Sequence, residues 1–307
     1  KFLNKLAVLK RNYLNAKIIA VTGSSGKTSV KDLIGNLLNV FGKTYFSPKS
    51  YNNQYGVPLS LCNLENTHKY GVFEIGMNKT GEIGKLSKLV KPDLGIITNV
   101  AEAHIENFKN LDQIAEAKSE IIDNISQTGS LTIDRDSKFF DFFKSKAEKK
   151  KINITSVGFN KNSNIRILKY KNYPKFKKIT IQSFNNKYQF KIRGHHVKNI
   201  LFAIAVFENL NLDFDKIKNK LNKLETLEGR GKIFKIKHNN LNFNLIDESY
   251  NANPLSMKES ILKLSKMNIK NNKYILLGDM LELGTKTHIL HKKLSPIINE
   301  SKINKLF

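Results

Sequence analysis

The sequence predicts an α/β protein built on a parallel sheet, with a small antiparallel excursion and the start of a second α/β unit. Three observations lead to this prediction. Short apolar runs alternate with stretches of helical periodicity, and the links between them are short. A glycine-rich turn joins the first apolar run directly to a helix. Between 165 and 193 the hydrophobic period changes to two, which is typical of antiparallel strands.

The composition fits a globular protein of two domains. The chain has 307 residues, of which 40% are hydrophobic, and this is enough to bury a core in each domain. Fifty-two Lys and Arg against 26 Asp and Glu leave a net charge of +26. Such an excess is compatible with a nucleic-acid, membrane or phosphate-rich partner. The lysines are scattered and mixed with asparagines, however, which indicates drift toward A/T-rich codons.

The cellular environment is predicted from cysteine content and hydropathy. The single cysteine, Cys62, excludes an internal disulfide framework and is compatible with a reducing cytoplasm. No apolar run approaches the ~20 residues that a membrane helix needs, and no signal peptide is visible. We therefore expect a cytoplasmic protein without a transmembrane segment. The chain starts at Lys1 without an initiator methionine, so we expect either a fragment or a processed chain.

The first segment with recognisable chemistry is a phosphate-loop candidate. An apolar run of strand type at 17–22 leads into the turn Gly-Ser-Ser-Gly at 23–26, which opens a helical pattern. Glycines let backbone N–H groups approach an anion, and the helix N-terminus adds its dipole. Lys27 supplies a charge for phosphate, and the Thr28 hydroxyl can bind Mg²⁺. Val21 replaces the early glycine of the common pattern, so this is the shorter T-G-x-x-G-K-T form. The prediction is a nucleoside-triphosphate site; a plain Gly/Ser turn is the alternative.

Two further segments are expected beside this loop. The polar segment 47–58, with two prolines and a glycine, either contributes to the site or simply connects two elements. The run 70–77 predicts a buried strand that carries one carboxylate, Glu74. A charge in a core strand is costly unless it is paired or bound to metal, so Glu74 is a candidate metal ligand or water-positioning residue. A solvated glutamate at the rim is the alternative.

A helix at 81–90 and a buried strand at 93–100 follow, and His104 lies just beyond that strand. Strand, helix and strand with short links imply a parallel sheet, in which ligands bind at the carboxyl ends of the strands. Lys27, Glu74 and His104 are all expected at that edge. His104 is therefore a candidate ligand or orienting residue, although a lone histidine is often structural.

The α/β pattern then continues to a hinge. From the residues alone, 111–122 predicts an ordinary surface helix, and strands at 130–133 and 154–159 flank a Lys-rich helix at 137–151. Another helix begins at 194–199. The Gly-rich segment 227–231 is the predicted domain boundary. We therefore expect a linker or helix at 1–16, a first domain at 17–228 and a partial second domain at 229–307. Within the partial domain, strand, loop, helix and strand are predicted at 241–246, 247–254, 255–267 and 274–280.

Five stretches together resemble the Mur ligases of peptidoglycan synthesis, and within them the MurF type. They are T-G-S-S-G-K-T-S, N-N-Q-Y-G-V-P, F-E-I-G-M, D-E-S-Y-N-A-N-P and L-G-D-M-L-E-L-G, at 22–29, 52–58, 73–77, 247–254 and 277–284. The first and third are shared by Mur ligases in general, and the last two are specific to the MurF type. The resemblance covers 17–307. It implies a P-loop-type ATPase domain followed by an incomplete Rossmann-like domain, without the family's N-terminal UDP-binding domain.

The resemblance also implies the reaction and its cofactors. A MurF-type enzyme joins D-alanyl-D-alanine to a UDP-N-acetylmuramoyl-tripeptide through an acyl phosphate, with ATP and Mg²⁺. Thr28, Glu74 and His104 resemble the metal ligands, and Lys27, Glu74 and His104 resemble catalytic residues. Lys118 matches a further catalytic residue, the family lysine that is often carbamylated.

The remaining site residues follow from the same motifs. The implied ATP-binding residues are Gly23, Ser24, Ser25, Gly26, Lys27, Thr28, Ser29, Asn199, Arg230 and Asp247. The implied substrate-binding residues are Asn52, Asn53, Tyr250, Asn251 and Asn253. One departure is His196, which follows His195 where the family has an asparagine. His291 matches a family histidine, for which helix packing is an equal interpretation.

Two alternatives stay open. One is another Mur-type or folylpolyglutamate-type amino acid ligase, against which the S-Y-N-A-N-P and G-D-M-L-E-L-G stretches argue. The other is an ATP-regulated basic nucleic-acid-binding protein, against which the scattering of lysines argues. We expect small-molecule substrates, no specific nucleic acid and a monomer. A fragment without the UDP-binding domain is expected to bind ATP weakly and to have little ligase activity.

Overall fold

The computed structural model describes residues 2–173, 176–194, 196–239, 241–269 and 271–307, so His195 of the predicted helix start lies outside the described residues. The chain divides into two compact units. The first comprises 1–100 and 112–225, and the second comprises 101–111 and 226–307. The predicted first domain, 17–228, includes 101–111. In the structure this segment groups instead with the C-terminal part of the chain.

The helices and strands are numbered along the chain. The helices are α1 (Phe2–Asn12), α2 (Lys27–Leu38), α3 (Gly56–Cys62), α4 (Glu82–Val90), α5 (Leu111–Ser119), α6 (Phe140–Lys149), α7 (Val197–Asn209), α8 (Asp215–Leu221), α9 (Pro254–Ser265), α10 (Thr287–Lys292) and α11 (Leu294–Asn299). The strands are β1 (Lys17–Thr22), β2 (Thr44–Phe46), β3 (Tyr70–Glu74), β4 (Leu94–Ile97), β5 (Ser130–Asp134), β6 (Asn153–Gly158), β7 (Ile165–Asn172), β8 (Lys177–Ser183), β9 (Asn186–Ile192), β10 (Lys232–His238), β11 (Leu241–Asp247), β12 (Tyr274–Ile275) and β13 (Lys305–Leu306).

The first unit is built on one large sheet. Within the described residues its strand order is β2-β3-β1-β4-β5-β6-β7-β8-β9. Neighbours from β2 to β7 pair in parallel, whereas β7, β8 and β9 pair antiparallel. The α/β class, the parallel sheet and the antiparallel excursion predicted between 165 and 193 are confirmed. The order also places the ends of β3 and β4 on either side of the end of β1.

The core of this unit explains why its strands are apolar throughout. Ile18, Ile19, Ala20 and Val21 of β1 are fully buried, because helices cover both faces of a parallel sheet. Helix α2 directs one apolar stripe into the same core. Helix α7 is buried over most of its length, consistent with its nearly continuous apolar sequence. Burial on both sides fixes the strand ends, from which the polar residues of the site extend.

The second unit has two smaller sheets. Strands β10 and β11 form an antiparallel hairpin, and β12 pairs in parallel with β13. Strand β10 was not predicted, and the strand predicted over 274–280 is limited to β12. Helix α9 begins with a capping box, in which Asn253 and Ser256 exchange hydrogen bonds, and Pro254 occupies the first turn. None of the described helices combines the length and the apolar composition that a membrane span requires.

Candidate active site

The loop between β1 and α2 has the geometry of a phosphate loop. Gly23 and Gly26 have φ values of +147° and +80°, where residues with a side chain are strained. A Cβ on Gly23 would lie 1.9 Å from Thr98 Oγ1, so the loop backbone runs against the residue that follows β4. Helix α2 begins at Lys27, and the N–H groups of a first turn lack acceptors within their own helix. The loop therefore presents a helix N-terminus suited to an anion.

The residues that follow β4 hold this loop in place. The Ser24 N–H donates to the Asn99 carbonyl at 3.1 Å, and the Ser25 N–H donates to Asn99 Oδ1 at 2.9 Å. The Thr98 hydroxyl donates to the Ser25 carbonyl at 2.6 Å. Because the N–H groups of Ser24 and Ser25 already donate to Asn99, we expect the N–H groups that bind phosphate to come from the first turn of α2. Lys27 Nζ donates to the Gly23 carbonyl at 2.9 Å, which keeps the ammonium over the loop.

Gly23→Ala is expected to disrupt the phosphate loop. The new Cβ would clash with Thr98 and would occupy a strained φ. We expect a loss of about 2–4 kcal/mol in the free energy of unfolding, and a loss of about tenfold in ATP affinity. Urea denaturation and calorimetry measure the two effects. Gly81→Ala is the matched control, because its φ is +89° but a Cβ there meets nothing within 4 Å. Equal losses in the two variants would contradict the steric argument.

A carboxylate, two hydroxyls and an amide meet at the start of α2. The Thr28 hydroxyl donates to Glu74 Oε2 at 2.7 Å and lies 3.2 Å from Ser50 Oγ. Asn52 Nδ2 donates to Glu74 Oε1 at 2.7 Å. Glu74 is only 1% exposed, so its charge is buried and hydrogen-bonded, as a buried carboxylate requires. The β1–β3 register pairs Val21 with Glu74, which brings this carboxylate beside the phosphate loop.

A buried lysine anchors the segment that carries Ser50 and Asn52. Lys31 of α2 is 0% exposed. Its ammonium donates to the carbonyls of Ser47 and Lys49 at 2.5 and 2.6 Å. These bonds satisfy the buried charge and tie the segment to α2. Lys31 therefore helps to position the oxygen and amide groups around Glu74.

Lys118 is a second buried lysine in this unit. It lies in α5 and is 3% exposed, although α5 was predicted from the residues alone to be an ordinary surface helix. Burial, and then the positive charge of Lys27, lower the pKa of Lys118 well below its usual value. A low pKa favours the neutral amine, which is the nucleophilic form of a lysine.

Asn199, one of the predicted ATP-binding residues, lies against the phosphate loop. Its Oδ1 is 3.3 Å from the position that a Cβ would take on Gly26. The preceding residue, Lys198, donates to Asp134 Oδ2 at 2.7 Å and forms an ion pair with Asp136 at 3.0 Å. Asp134 is the last residue of β5, so these contacts tie the first turn of α7 to the end of that strand. The bridge holds the helix turn that carries Asn199.

Lys198→Met is expected to loosen this turn. The substitution leaves the buried Asp134 carboxylate without this donor, at a cost of about 1–3 kcal/mol in the free energy of unfolding. We expect ATP affinity to fall about three- to tenfold, since Asn199 loses its support. Lys218→Met, which breaks an exposed pair with Asp215, is the control and should cost under about 0.5 kcal/mol. Loss of stability with unchanged ATP affinity would contradict the positioning role.

In the second unit, Asp247 and Tyr250 pack around the start of the hinge. The Gly229 N–H donates to Asp247 Oδ2 at 2.7 Å, and the Arg230 guanidinium lies 4.1 Å from the centre of the Tyr250 ring. Hydrogen bonds from Ser249, and then from Gly229, hold the pKa of Asp247 below its usual value. Asp247 is therefore ionised at neutral pH and can accept hydrogen bonds from hydroxyl groups.

His104 also lies in the second unit, where its Nδ1 pairs with the Glu282 carboxylate. It has a φ of +58° and precedes a short 3₁₀ helix, Ile105–Asn107. The Glu106 N–H donates to the Glu282 carbonyl at 3.3 Å, so two contacts join this segment to the L-G-D-M-L-E-L-G stretch. The proposed metal-ligand role of His104 stays a prediction.

Residues 21–207 match the family described as the Mur ligase middle domain. This chain belongs to the Mur ligase family. The chain is 34% identical to the UDP-N-acetylmuramoyl-tripeptide–D-alanyl-D-alanine ligase of Buchnera aphidicola subsp. Baizongia pistaciae, covering 99% of this chain and 65% of that relative. The Rickettsia prowazekii protein of the same name is 33% identical, with coverages of 99% and 68%. The chain thus spans about two thirds of the length of the curated relatives it matches.

Solved structures agree with this assignment. MurF from Acinetobacter baumannii has a TM-score of 0.91 and 28% identity, covering 99% of this chain and 66% of its own. MurF from Thermotoga maritima in complex with ADP has a TM-score of 0.87 and 26% identity, covering 100% and 74%. The fold of this Mur ligase chain is therefore the one found in MurF structures.

The predicted site residues of this Mur ligase fall in both units. The first unit brings together the phosphate loop at 23–29 with Glu74, Asn52 and Asn199. Asn53 lies next to Asn52 in the segment before α3, where its Oδ1 accepts from the Gly56 N–H. The second unit carries His104, Arg230, Asp247, Tyr250, Asn251 and Asn253. Among these, the buried Asn253 side chain caps α9, and Asn251 Oδ1 accepts from the Ala252 N–H.

Sequence reasoning missed the residues that support the site. Thr98 and Asn99 brace the phosphate loop, and Ser50 and Lys31 arrange the surroundings of Glu74. A signal existed for Thr98 and Asn99, because they follow a strand predicted to neighbour β1 in a parallel sheet. Ser50 lies within the polar segment 47–58 that was predicted beside the loop, whereas Lys31 had no comparable signal. His291 accepts from the Met280 N–H at 3.0 Å, which supports a structural interpretation of that residue.

Proposed function

We propose that this chain is the ATP-binding part of a ligase that joins D-alanyl-D-alanine to a UDP-N-acetylmuramoyl-tripeptide. The observation that carries the proposal is the pairing of the Thr28 hydroxyl with the buried Glu74 carboxylate beside the phosphate loop. The substrates are inferred from the names of the relatives. The motifs at 247–254 and 277–284 favour this type of ligase over a folylpolyglutamate-type enzyme.

The oxygen donors around Thr28 fit a magnesium ion. Thr28 Oγ1 and Glu74 Oε2 would hold it, with Ser50 Oγ nearby, and Mg²⁺ prefers one or two carboxylates completed by phosphate and water. Among the described residues there is no cluster of three His, Cys, Asp or Glu side chains that could hold a metal alone. When bound, Mg²⁺ neutralises phosphate charge.

The chain's own groups then bind and orient the nucleotide. The first turn of α2 and the Lys27 ammonium bind phosphate oxygens, while Thr98 and Asn99 keep the loop from deforming. In the proposed reaction, the γ-phosphoryl group passes to the tripeptide carboxylate. The amine of the dipeptide then displaces phosphate to form the amide. Such chemistry depends on positioning and charge neutralisation more than on covalent catalysis by side chains.

Lys118 is proposed to carry a carbamate in the working enzyme. The neutral amine adds to CO₂, giving Lys–NH–COO⁻ and one released proton, so an uncharged buried group becomes an anion. The lowered pKa of Lys118 supplies the neutral amine. The new charge would attract Lys27, whereas the ammonium repels it. The residues around Lys118 thus favour the modification on electrostatic grounds.

An ADP-release assay on the complete gene product tests the proposed function. ADP release should require both the muramoyl tripeptide and D-alanyl-D-alanine, and omission of either should reduce it to background. Calorimetry on the 307-residue chain tests ATP binding separately. Equal stimulation by folate with glutamate would overturn the substrate assignment, and absence of ATP binding would overturn the nucleotide site.

A further inference from the structure

The positive charge of the chain is concentrated in one segment. Between Glu148 and Glu208 there are 14 Lys and Arg residues and no Asp or Glu. This segment therefore contributes 14 of the 26 net positive charges. Codon drift can add lysine throughout a chain, but it does not account for the loss of every acidic residue from one stretch.

The strand register gathers six of these cations on one side of β7, β8 and β9. Directly paired residues of antiparallel strands lie on the same face. Ile179, Ile181 and Phe190 are buried on the inner face. The outward rows are Arg166–Gln182–Lys187, Lys169–Thr180–Gln189 and Lys171–Lys178–Lys191. We name the outward cations the basic face: Arg166, Lys169, Lys171, Lys178, Lys187 and Lys191.

The basic face contains an unfavourable row of like charges. Lys171, Lys178 and Lys191 lie directly opposite one another on neighbouring strands. Like charges in this position destabilise a sheet. Across the described ranges, no carboxylate forms an ion pair with any of the three. An external anion would relieve this repulsion.

Aromatic side chains at one end of the basic face indicate the class of anion. The rings of Tyr173 and Phe176 stack 4.8 Å apart, with Lys171 and Lys191 over them at 5.5 and 4.7 Å. These rings are occupied by each other and by the ammoniums, which disfavours base stacking of the kind used for single-stranded nucleic acid. Tyrosine beside lysine is typical of the membrane–water interface, and Tyr173 is 39% exposed.

We propose that the basic face docks the chain on an anionic lipid surface. Lipid phosphates lie against the lysine rows, and Tyr173 lies at the level of the headgroups. The open face of a sheet presents its cations side by side, so a planar membrane can meet several of them together. Each lysine near such a surface adds attraction that salt screens. This proposal goes beyond the ligase function and does not depend on it.

Vesicle co-sedimentation of the 307-residue chain tests the proposal. We expect binding to vesicles of phosphatidylcholine mixed with phosphatidylglycerol, no binding to phosphatidylcholine alone, and release by salt. Replacing Lys171, Lys178 and Lys191 with glutamine should weaken binding by roughly a hundredfold, at about fivefold per charge. The matched control replaces the exposed Lys79, Lys85 and Lys88 with glutamine.

Further results distinguish binding by the basic face from binding by overall charge, and lipid binding from nucleic-acid binding. If the control triple weakens vesicle binding as much as the face triple, overall charge is responsible and the proposal fails. Tighter binding to a single-stranded or duplex oligonucleotide than to anionic vesicles would also overturn it. Lys178→Glu separates folding from docking, because a Lys–Glu–Lys row relieves cross-strand repulsion. This variant should unfold at a higher temperature and bind anionic vesicles more weakly. Undiminished binding by a folded Lys178→Glu protein would contradict the docking role.

Discussion

Glu74→Gln is expected to abolish the Mg²⁺-dependent gain in ATP affinity while leaving the fold intact. The glutamine amide can donate to Thr28 Oγ1 while its carbonyl still accepts from Asn52 Nδ2, so both neighbours keep a partner. The negative charge is lost, and with it the only carboxylate contacting Thr28 in the described structure. We expect ATP affinity in the presence of Mg²⁺ to fall roughly ten- to hundredfold, which is the effect of losing one interaction with a charged group.

Calorimetric titration with ATP, with and without Mg²⁺, measures this effect, and urea denaturation checks the fold. The free energy of unfolding should change by less than about 1 kcal/mol. Glu65→Gln, which alters an exposed pair with Lys43, is the control and should keep the full Mg²⁺ response. Glu74→Asp retains the charge at shorter reach, so a partial response at high Mg²⁺ is expected. A Glu74→Gln protein that keeps the wild-type response would exclude Glu74 as a metal ligand.

The sequence predicted those site residues whose chemistry is local. The turn at 23–26 and Thr28 belong to one short motif, and Glu74 stands out as a charge inside an apolar strand. Both depend on neighbours in the chain and were predicted without knowledge of the fold. Lys31 could not be recognised in this way. A lysine on an amphipathic helix is usually solvated, and only the path of the segment at 47–50 reveals that Lys31 is buried beneath it.

Neither the burial of Lys118 nor the grouping of cations on the basic face could be predicted from local sequence patterns. The helix periodicity around Lys118 is that of a surface helix, yet the residue is buried in the folded unit. The cations of the basic face lie in one acid-free stretch of the sequence, but their position on one side of the sheet depends on register and on the bulge between Ile167 and Lys169. Burial and cross-strand pairing are properties of the tertiary fold. Local sequence patterns therefore underestimated both features.

Lys118→Met is expected to remove ligase activity of the complete gene product and, in CO₂-free buffer, to stabilise the fold. Burial and Lys27 lower the pKa of Lys118 in the folded state, whereas the unfolded value is about 10.4. Between these values the unfolded chain binds more protons, so the stability of the unmodified wild type rises with pH across this window. Below the lowered pKa both states are protonated and the full cost of burying the ammonium remains. Methionine removes that cost, so the variant's advantage, about 1–3 kcal/mol, should be greatest at low pH and fade as pH approaches the unfolded pKa.

Lys31→Met is the matched control, because Lys31 is equally buried but its ammonium donates to two carbonyls. Replacing Lys31 with methionine leaves both carbonyls without this donor and should lower the free energy of unfolding by about 1–3 kcal/mol. This change is opposite in sign to the one expected for Lys118→Met. Added bicarbonate should stabilise the wild type by converting the Lys118 amine to a carbamate, while the Lys118→Met protein should not respond. With ¹³C-labelled bicarbonate, a carbamate carbon signal should appear in NMR spectra of the wild type only. A Lys118→Met protein as destabilised as Lys31→Met would contradict the lowered pKa of Lys118, and a wild type without the labelled signal would exclude the carbamate. We expect ligase activity to require an anion at position 118 that offsets the charge of Lys27. An unmodified Lys118 ammonium would instead add to the positive charge that repels the metal ion.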